Sequence, residues 1–216
     1  MGCALFRQQV IHVSEVFVVP SLVTRYCYSL NVFLAVTAEE EGLLGSAYYV
    51  RNPIFPHANT VANINIDVLN SFGPMKNVVI VGYGQSDLDD YVQAICRENG
   101  RYVSPDPHPE AGFYFRSDHF NFAKAGIPAL YVDPGNDHVT GGVEYGEKMS
   151  ADYTANRYHQ PADEYDATTW RLDGALEDLQ LLFEVGRRLA FESTWPQWRE
   201  GSEFRAIREA SRSNEQ

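Results

Sequence analysis

The chain lacks most of what would place it quickly. It has three cysteines, Cys3, Cys27 and Cys96, odd in number and far apart, with no C-x-x-C among them. That excludes a disulfide framework and a cysteine zinc site. No apolar run reaches the ~18 residues of a membrane span. Basic residues are scarce: 17 Lys and Arg stand against 29 Asp and Glu, a net charge of −12. Nucleic acid and anionic membrane are poor candidate partners, since both select basic surfaces. H-E-x-x-H and G-x-S-x-G are both missing, which removes the helix-borne zinc protease and the nucleophile elbow. The first residues, Met1 to Pro20, interrupt their apolar part with His12 and Glu15 and offer no small-residue cleavage site, so they do not read as a signal peptide. Met-Gly-Cys opens the chain, but Phe6 stands where myristoylation wants Ser or Thr. Aspartate is absent altogether before Asp67.

What is present describes one globular α/β domain. Hydrophobic residues make up 44% and charged residues 21% of the 216, which is too apolar for disorder. Residues 1–30 show no clear periodicity beyond a short strand at Val16–Val19. Strands are predicted at Val32–Thr37, Val61–Val68, Asn77–Val81 and Ala129–Val132, and helices at Leu43–Arg51, Asp87–Arg97 and Ser117–Ala125. Leu172–Leu189 is the best helix, with Leu172, Ala175, Leu176, Leu179, Leu182, Phe183 and Leu189 as its apolar stripe. Arg101–Gly112 and Gly135–Tyr158 read as loops, the second long enough to suggest function. After residue 190 a tail fades into charge. Strands alternating with helices predict a three-layer α/β/α fold around a mixed, mostly parallel sheet.

The stretch Asn31–Ser46 organises the chain. Its apolar run, Val32 to Val36, breaks at three carboxylates, Glu39, Glu40 and Glu41. Ligands of open α/β sheets bind beyond the carboxyl ends of strands, where these acids fall. One carboxylate there can hold a metal while another works on water. They can equally be an acidic first helical turn favoured by the helix dipole. Asp67 closes the next predicted strand, and His159 follows the long loop; carboxylate and neutral imidazole both suit zinc. Separately, Asp67 can cap a turn and His159 can be a hydrogen-bonded loop histidine. Gly82-Tyr83-Gly84 follows a strand, but Asp87 occupies the third glycine position of a dinucleotide fingerprint, which argues against nucleotide. Ser117-Asp118-His119 has the residue types of a triad, but consecutive residues cannot form the relay.

Four motifs in order resemble one family. T-A-E-E-E-G-L-L-G-S at 37–46, N-I-D at 65–67, F-R-S-D-H-F-N-F-A-K-A-G-I-P-A-L at 115–130 and Y-H-Q-P-A-D at 158–163 are similar to the signatures of the co-catalytic di-zinc exopeptidases related to bacterial leucyl aminopeptidase, family twenty-eight of the metallopeptidases. The resemblance covers roughly residues 31–190, leaving an atypical segment 1–30 and a tail 191–216. It implies a zinc-dependent exopeptidase, most simply an aminopeptidase on peptide substrates. Glu39 would be the general base, Glu40 and His159 ligands of one zinc, and Asp67 a ligand of the other. Tyr114 would steady the tetrahedral intermediate, and Asp118 and His119 would support the ligands. Intact relatives hold two zinc ions and are often exported. The family's earlier H-x-D strand and its D-D-N-A-S-G-like segment, with the aspartate that bridges both metals, have no counterpart before Glu39; the nearest histidine is His12, with no aspartate two residues on. One zinc would keep two ligands and the other one. The expectation is that residues 1–30 replace or truncate the family's N-terminal half, so that the sheet lacks its first strands. A catalytically silent relative and a glutaminyl cyclase-like acyltransferase are the alternative functions. Neither side-chain preference nor oligomeric state is legible.

Overall fold

Alternation along two central strands sets the layers. In the segments Asn77–Ile80 and Ala129–Pro134, successive residues point to opposite faces of one sheet. Val78, Ile80, Leu130 and Val132 enter one apolar cluster, while Val79, Val81 and Tyr131 enter another on the far face. Burial on both faces is what near-continuous apolar strands require.

The computed structural model describes residues 30–213 and the backbone of strand 15–19. In chain order the elements are β1 (Glu15–Val19), β2 (Asn31–Ala35), α1 (Leu44–Arg51), β3 (Asn63–Asn65), β4 (Asn77–Ile80), α2 (Leu88–Glu98), β5 (Tyr102–Pro105), α3 (His119–Lys124), β6 (Ala129–Pro134), α4 (Gly142–Asn156), α5 (Leu172–Phe191) and α6 (Arg205–Ser213). The sheet order is β3-β6-β4-β5. The β3–β6 and β4–β5 pairs are parallel and β4–β6 is antiparallel, so the sheet is mixed and mostly parallel. Helices flank both faces. The α2 residues Leu88, Val92, Ile95 and Cys96, spaced on one helical face, pack with Leu181, Leu182, Val185 and Leu189 of α5 on one side. Phe122 and Ala123 of α3 and Tyr49 of α1 pack with Trp198 and Phe204 on the other.

Several expectations need correction. The strand carrying the glutamate motif, β2, lies outside the four-stranded sheet and pairs antiparallel with β1. The predicted loop at 101–112 contains strand β5, and the loop at 135–158 contains the 15-residue helix α4. Helix α4 buries only Gly146 among its residues, so it offers no apolar stripe for periodicity to detect. The stripe of α5 is rotated: Leu172, Leu176 and Phe183 are exposed, and Ala175, Asp178, Leu181, Val185 and Leu189 face the core. Asp178 is buried because it meets Arg101, Oδ1 to Nη2 at 2.7 Å, with both side chains 9% exposed. The predicted tail is folded: Trp198 is buried and its indole N–H donates to the Gly126 carbonyl at 2.8 Å. In α6, Arg208 donates to the His57 and Thr60 carbonyls.

Candidate active site

The glutamate motif is presented by a tight turn, not by a helix. After β2 the chain turns through Ala38 (φ 56°), Gly42 (φ 95°) and Leu43 (φ 61°). The Gly42 and Leu43 amides both donate to the Glu39 carbonyl, at 3.0 and 2.8 Å, and the Gly45 amide donates to the Thr37 carbonyl at 2.9 Å. A left-handed conformation is uncommon for residues other than glycine, and costs on the order of 1 kcal/mol each. Here Ala38 and Leu43 adopt it on either side of Glu39–Glu41. The first turn of α1 contains no acidic residue, so the three glutamates stand ahead of the helix and do not complement its dipole from within.

Asp67 lies two residues past β3 and is held from the side. The Ser117 hydroxyl donates to Asp67 Oδ2 at 2.5 Å, and the Asn65 amide donates to the same hydroxyl at 2.7 Å. Ser117, the first residue of a predicted helix, lies ahead of α3, is buried and ties its loop to the end of β3. His159 follows α4, also with a left-handed backbone (φ 57°). Its Nε2 stands 2.8 Å from Glu40 Oε1, with side-chain exposures of 53% and 69%. Tyr158 stacks on the imidazole, ring centroids 3.9 Å apart.

The electrostatics tie these groups together. Glu39 has its carboxyl held above the usual range, first by burial and then by the charges of Asp67, Glu40 and Asp118; His159 acts the other way. Asp118 is likewise pushed up, by burial first, with the Ser46 hydroxyl lowering it and Asp67 raising it. Glu39, Glu40, Asp67, Asp118 and His159 therefore share one neighbourhood. His119 does not reach it. Its ring is fully buried between Tyr114 and Tyr131, at centroid distances of 4.9 and 5.0 Å, with neither nitrogen hydrogen-bonded. Burial lowers its pKa to about 4. Nor is the Tyr114 hydroxyl brought to Glu39. It is buried without a partner, the ring lies against Gly82, and the acids acting on it are Glu203 and Asp89. A tyrosine influenced by both glutamates is Tyr158, whose hydroxyl is pushed up by burial and then by Glu40, Asp67 and Glu39. Ser117 and Tyr158 were both missed as site residues, although each adjoins a motif residue.

The model of Peptidase family M28 matches residues 29–183, most of the chain and all four motifs. The chain belongs to Peptidase family M28. Among solved structures the M28 chain resembles the LapA aminopeptidase of Legionella pneumophila, with 17% identity and a TM-score of 0.55, over 80% of this chain and 41% of that one. It also resembles an aminopeptidase from Aneurinibacillus sp. strain AM-1, with 19% identity and a TM-score of 0.50, over 74% and 33%. These likenesses are of fold. The chain spans less than half the length of either aminopeptidase. Among curated proteins, none matches it.

The donors of this M28 chain fit a zinc centre by type and fall short of one by number. Their types fit, since carboxylate and imidazole are ordinary zinc ligands. Their number does not. Among the described residues no group of three His, Cys, Asp or Glu side chains gathers to hold a metal. A catalytic zinc takes three protein ligands, and the Glu40–His159 contact provides two. The described residues do not by themselves form a complete centre. His12, Cys3 and Cys27 lie outside them. Among the described residues no helix is long and apolar enough to cross a membrane.

Proposed function

We propose that this M28 chain carries the general base and part of the metal-donor set of an exopeptidase that hydrolyses N-terminal peptide bonds. The observation that supports it most is the placement of Glu39: a partly buried carboxylate, raised by Asp67, Glu40 and Asp118, beside the Glu40–His159 contact. A base near strand-end donors is the arrangement hydrolysis of an amide needs. Glu39 takes a proton from the attacking water as its oxygen adds to the carbonyl carbon. The C–N bond then breaks and Glu39 returns the proton to the departing nitrogen. A raised pKa suits both halves of that exchange, since the carboxyl holds the proton between them. Asp67, held by the Ser117 hydroxyl that Asn65 in turn supports, keeps a second negative charge close enough to raise Glu39. Zinc binding completed by donors beyond Glu40, His159 and Asp67 belongs to this reading. Both solved neighbours are aminopeptidases, which favours the amino-terminal side of the substrate.

The test uses the full chain with added zinc. A leucyl anilide and an N-terminal glutamine peptide are offered in parallel. The expected product is free leucine from the anilide. Cyclisation of the glutamine peptide without anilide cleavage would replace this reading with an acyltransferase, and neither reaction would leave a silent M28 member.

A further inference from the structure

Helix α5 carries two apolar faces, and the core takes one of them. Ala175, Leu182, Val185 and Leu189 are buried on that face. The other face is Leu172, Leu176, Leu179 and Phe183, spaced four, three and four residues along one side of the helix. Leu172 and Leu176 are exposed and Leu179 is half-buried. Phe183, 71% exposed, is the most exposed large apolar side chain among the described residues. The flank on which α5 meets α2 lies elsewhere on the helix, where Arg188 pairs with Glu98 at 2.6 Å. Towards the sheet the second face stops at Gly186, where an added Cβ would stand 3.6 Å from Ile64 and 3.8 Å from Asn31. Single exposed apolar residues need no explanation, but a line of them along one helix side marks a packing surface.

A polar row beside the stripe indicates what packs there. Asp173, Gln180 and Arg187 are exposed and recur at intervals of seven, so they lie along one line next to the apolar face. The row reads acid, amide, base. Turned end for end about Gln180 it reads base, amide, acid, which makes it its own complement. Each end also has a partner within the chain: Asp173 pairs with Arg171 and Arg187 with Glu184, both at 2.6 Å. A second row laid antiparallel gives the order Arg171, Asp173, the partner's Arg187, the partner's Glu184, in which the sign alternates at every step. At the centre the two Gln180 amides can donate to each other.

We propose that α5 packs antiparallel against α5 of a second copy of this chain, forming a two-fold dimer. Leu176 then seats against the partner's Phe183, and Phe183 against the partner's Leu176, as a self-complementary interface requires. Leu179 lies near the two-fold axis. One helix pair is a small interface, so the dimer is weak and exchanges with the monomer at micromolar concentrations. Association needs neither zinc nor hydrolysis, so it stands or falls apart from the peptidase reading.

Sedimentation equilibrium of the full chain provides the test, over about 1 to 300 μM. The mean mass should rise from that of one chain towards that of two. Phe183→Glu should weaken association at least about tenfold, because it puts a carboxylate into the apolar contact. The side chain is exposed in the monomer, so the urea midpoint of that variant at low concentration should match wild type. Charge reversal tests the partner's identity and direction. Asp173→Arg and Arg187→Asp should each weaken the dimer about fivefold, the order expected when exposed pairs are lost at both ends of the contact. The double variant should restore it. A chain that stays monomeric throughout would overturn the proposal, whether residues 1–29 cover the stripe or nothing does. So would a dimer indifferent to Phe183→Glu, or a double charge variant that associates no better than the single ones.

Discussion

Glu39 and Glu40 are neighbours with different surroundings, and the difference assigns their roles. Glu40 is largely exposed and touches His159; Glu39 is pushed up by burial and by three other carboxylates. Glu39→Gln removes a base and leaves the contact of Glu40 with His159, so zinc uptake should persist while hydrolysis falls by at least about a hundredfold. Loss of zinc on that change would exchange the two roles. A second residue outside the site carries a pH dependence. Asp89 is 3% exposed, accepts from the Gly84 amide at 2.6 Å, and has its pKa raised from 3.8 to about 6, chiefly by burial. The folded state therefore holds this proton more tightly than the unfolded chain. Its contribution to stability is full below pH 3.8 and is lost as pH rises through about 6. Asp89→Asn should remove that loss, so the urea midpoint of the variant relative to wild type should climb between pH 4 and 7. An unchanged difference across that range would contradict it. Asp133, also raised to about 6 by burial, leaves a residual slope in both proteins.

At the scale of elements, the turn from β2 into α1 does the positioning. Gly45 packs so closely on Thr37 that a Cβ would meet the Thr37 nitrogen and oxygen at 2.5 Å. Gly45→Ala must push the turn away from the helix. We expect a stability loss of about 1–3 kcal/mol and a larger loss of zinc affinity than a surface Ala substitution causes, read by urea unfolding and metal titration. The sequence was informative where an element buries a periodic face. Residues 44–51, 77–80, 88–98 and 129–134 were legible within one to three residues because their apolar patterns are cut by Gly, Pro or Asn. Helices α4 and α6 were not, since α4 buries only Gly146 and α6 only Arg208. Strand β5 was hidden by the prolines around it and by its place at the sheet edge, where a strand needs less apolar patterning. The motif residues were legible by type and order. What they touch was not: Ser117 meets Asp67 only because the fold brings their distant loops together.

Over the whole molecule, the sheet is tied to its outer helix by charge as well as by apolar contact. Arg101, just before β5, bonds Asp178 of α5 and the Asn77 carbonyl with the same Nη2. Removing one partner of a buried pair leaves the other unmatched, so Asp178→Ala should cost about 3 kcal/mol or more, seen as a lower urea midpoint with the active-site geometry retained. A change under 1 kcal/mol would show that the pair is not buried in solution. The larger question at this scale is whether a chain less than half as long as its aminopeptidase neighbours assembles a working centre. The described residues offer two donors in contact, Glu40 and His159, and a third, Asp67, that acts with them on Glu39. The most direct measurement is zinc per chain by elemental analysis after dialysis against dilute free zinc, with leucyl anilide hydrolysis followed on the same sample. The expected result is measurable zinc, lost on His159→Ala, and zinc-dependent release of leucine that Glu39→Gln abolishes. No bound zinc and no hydrolysis at any zinc concentration would contradict it, and would leave the M28 fold here without its chemistry.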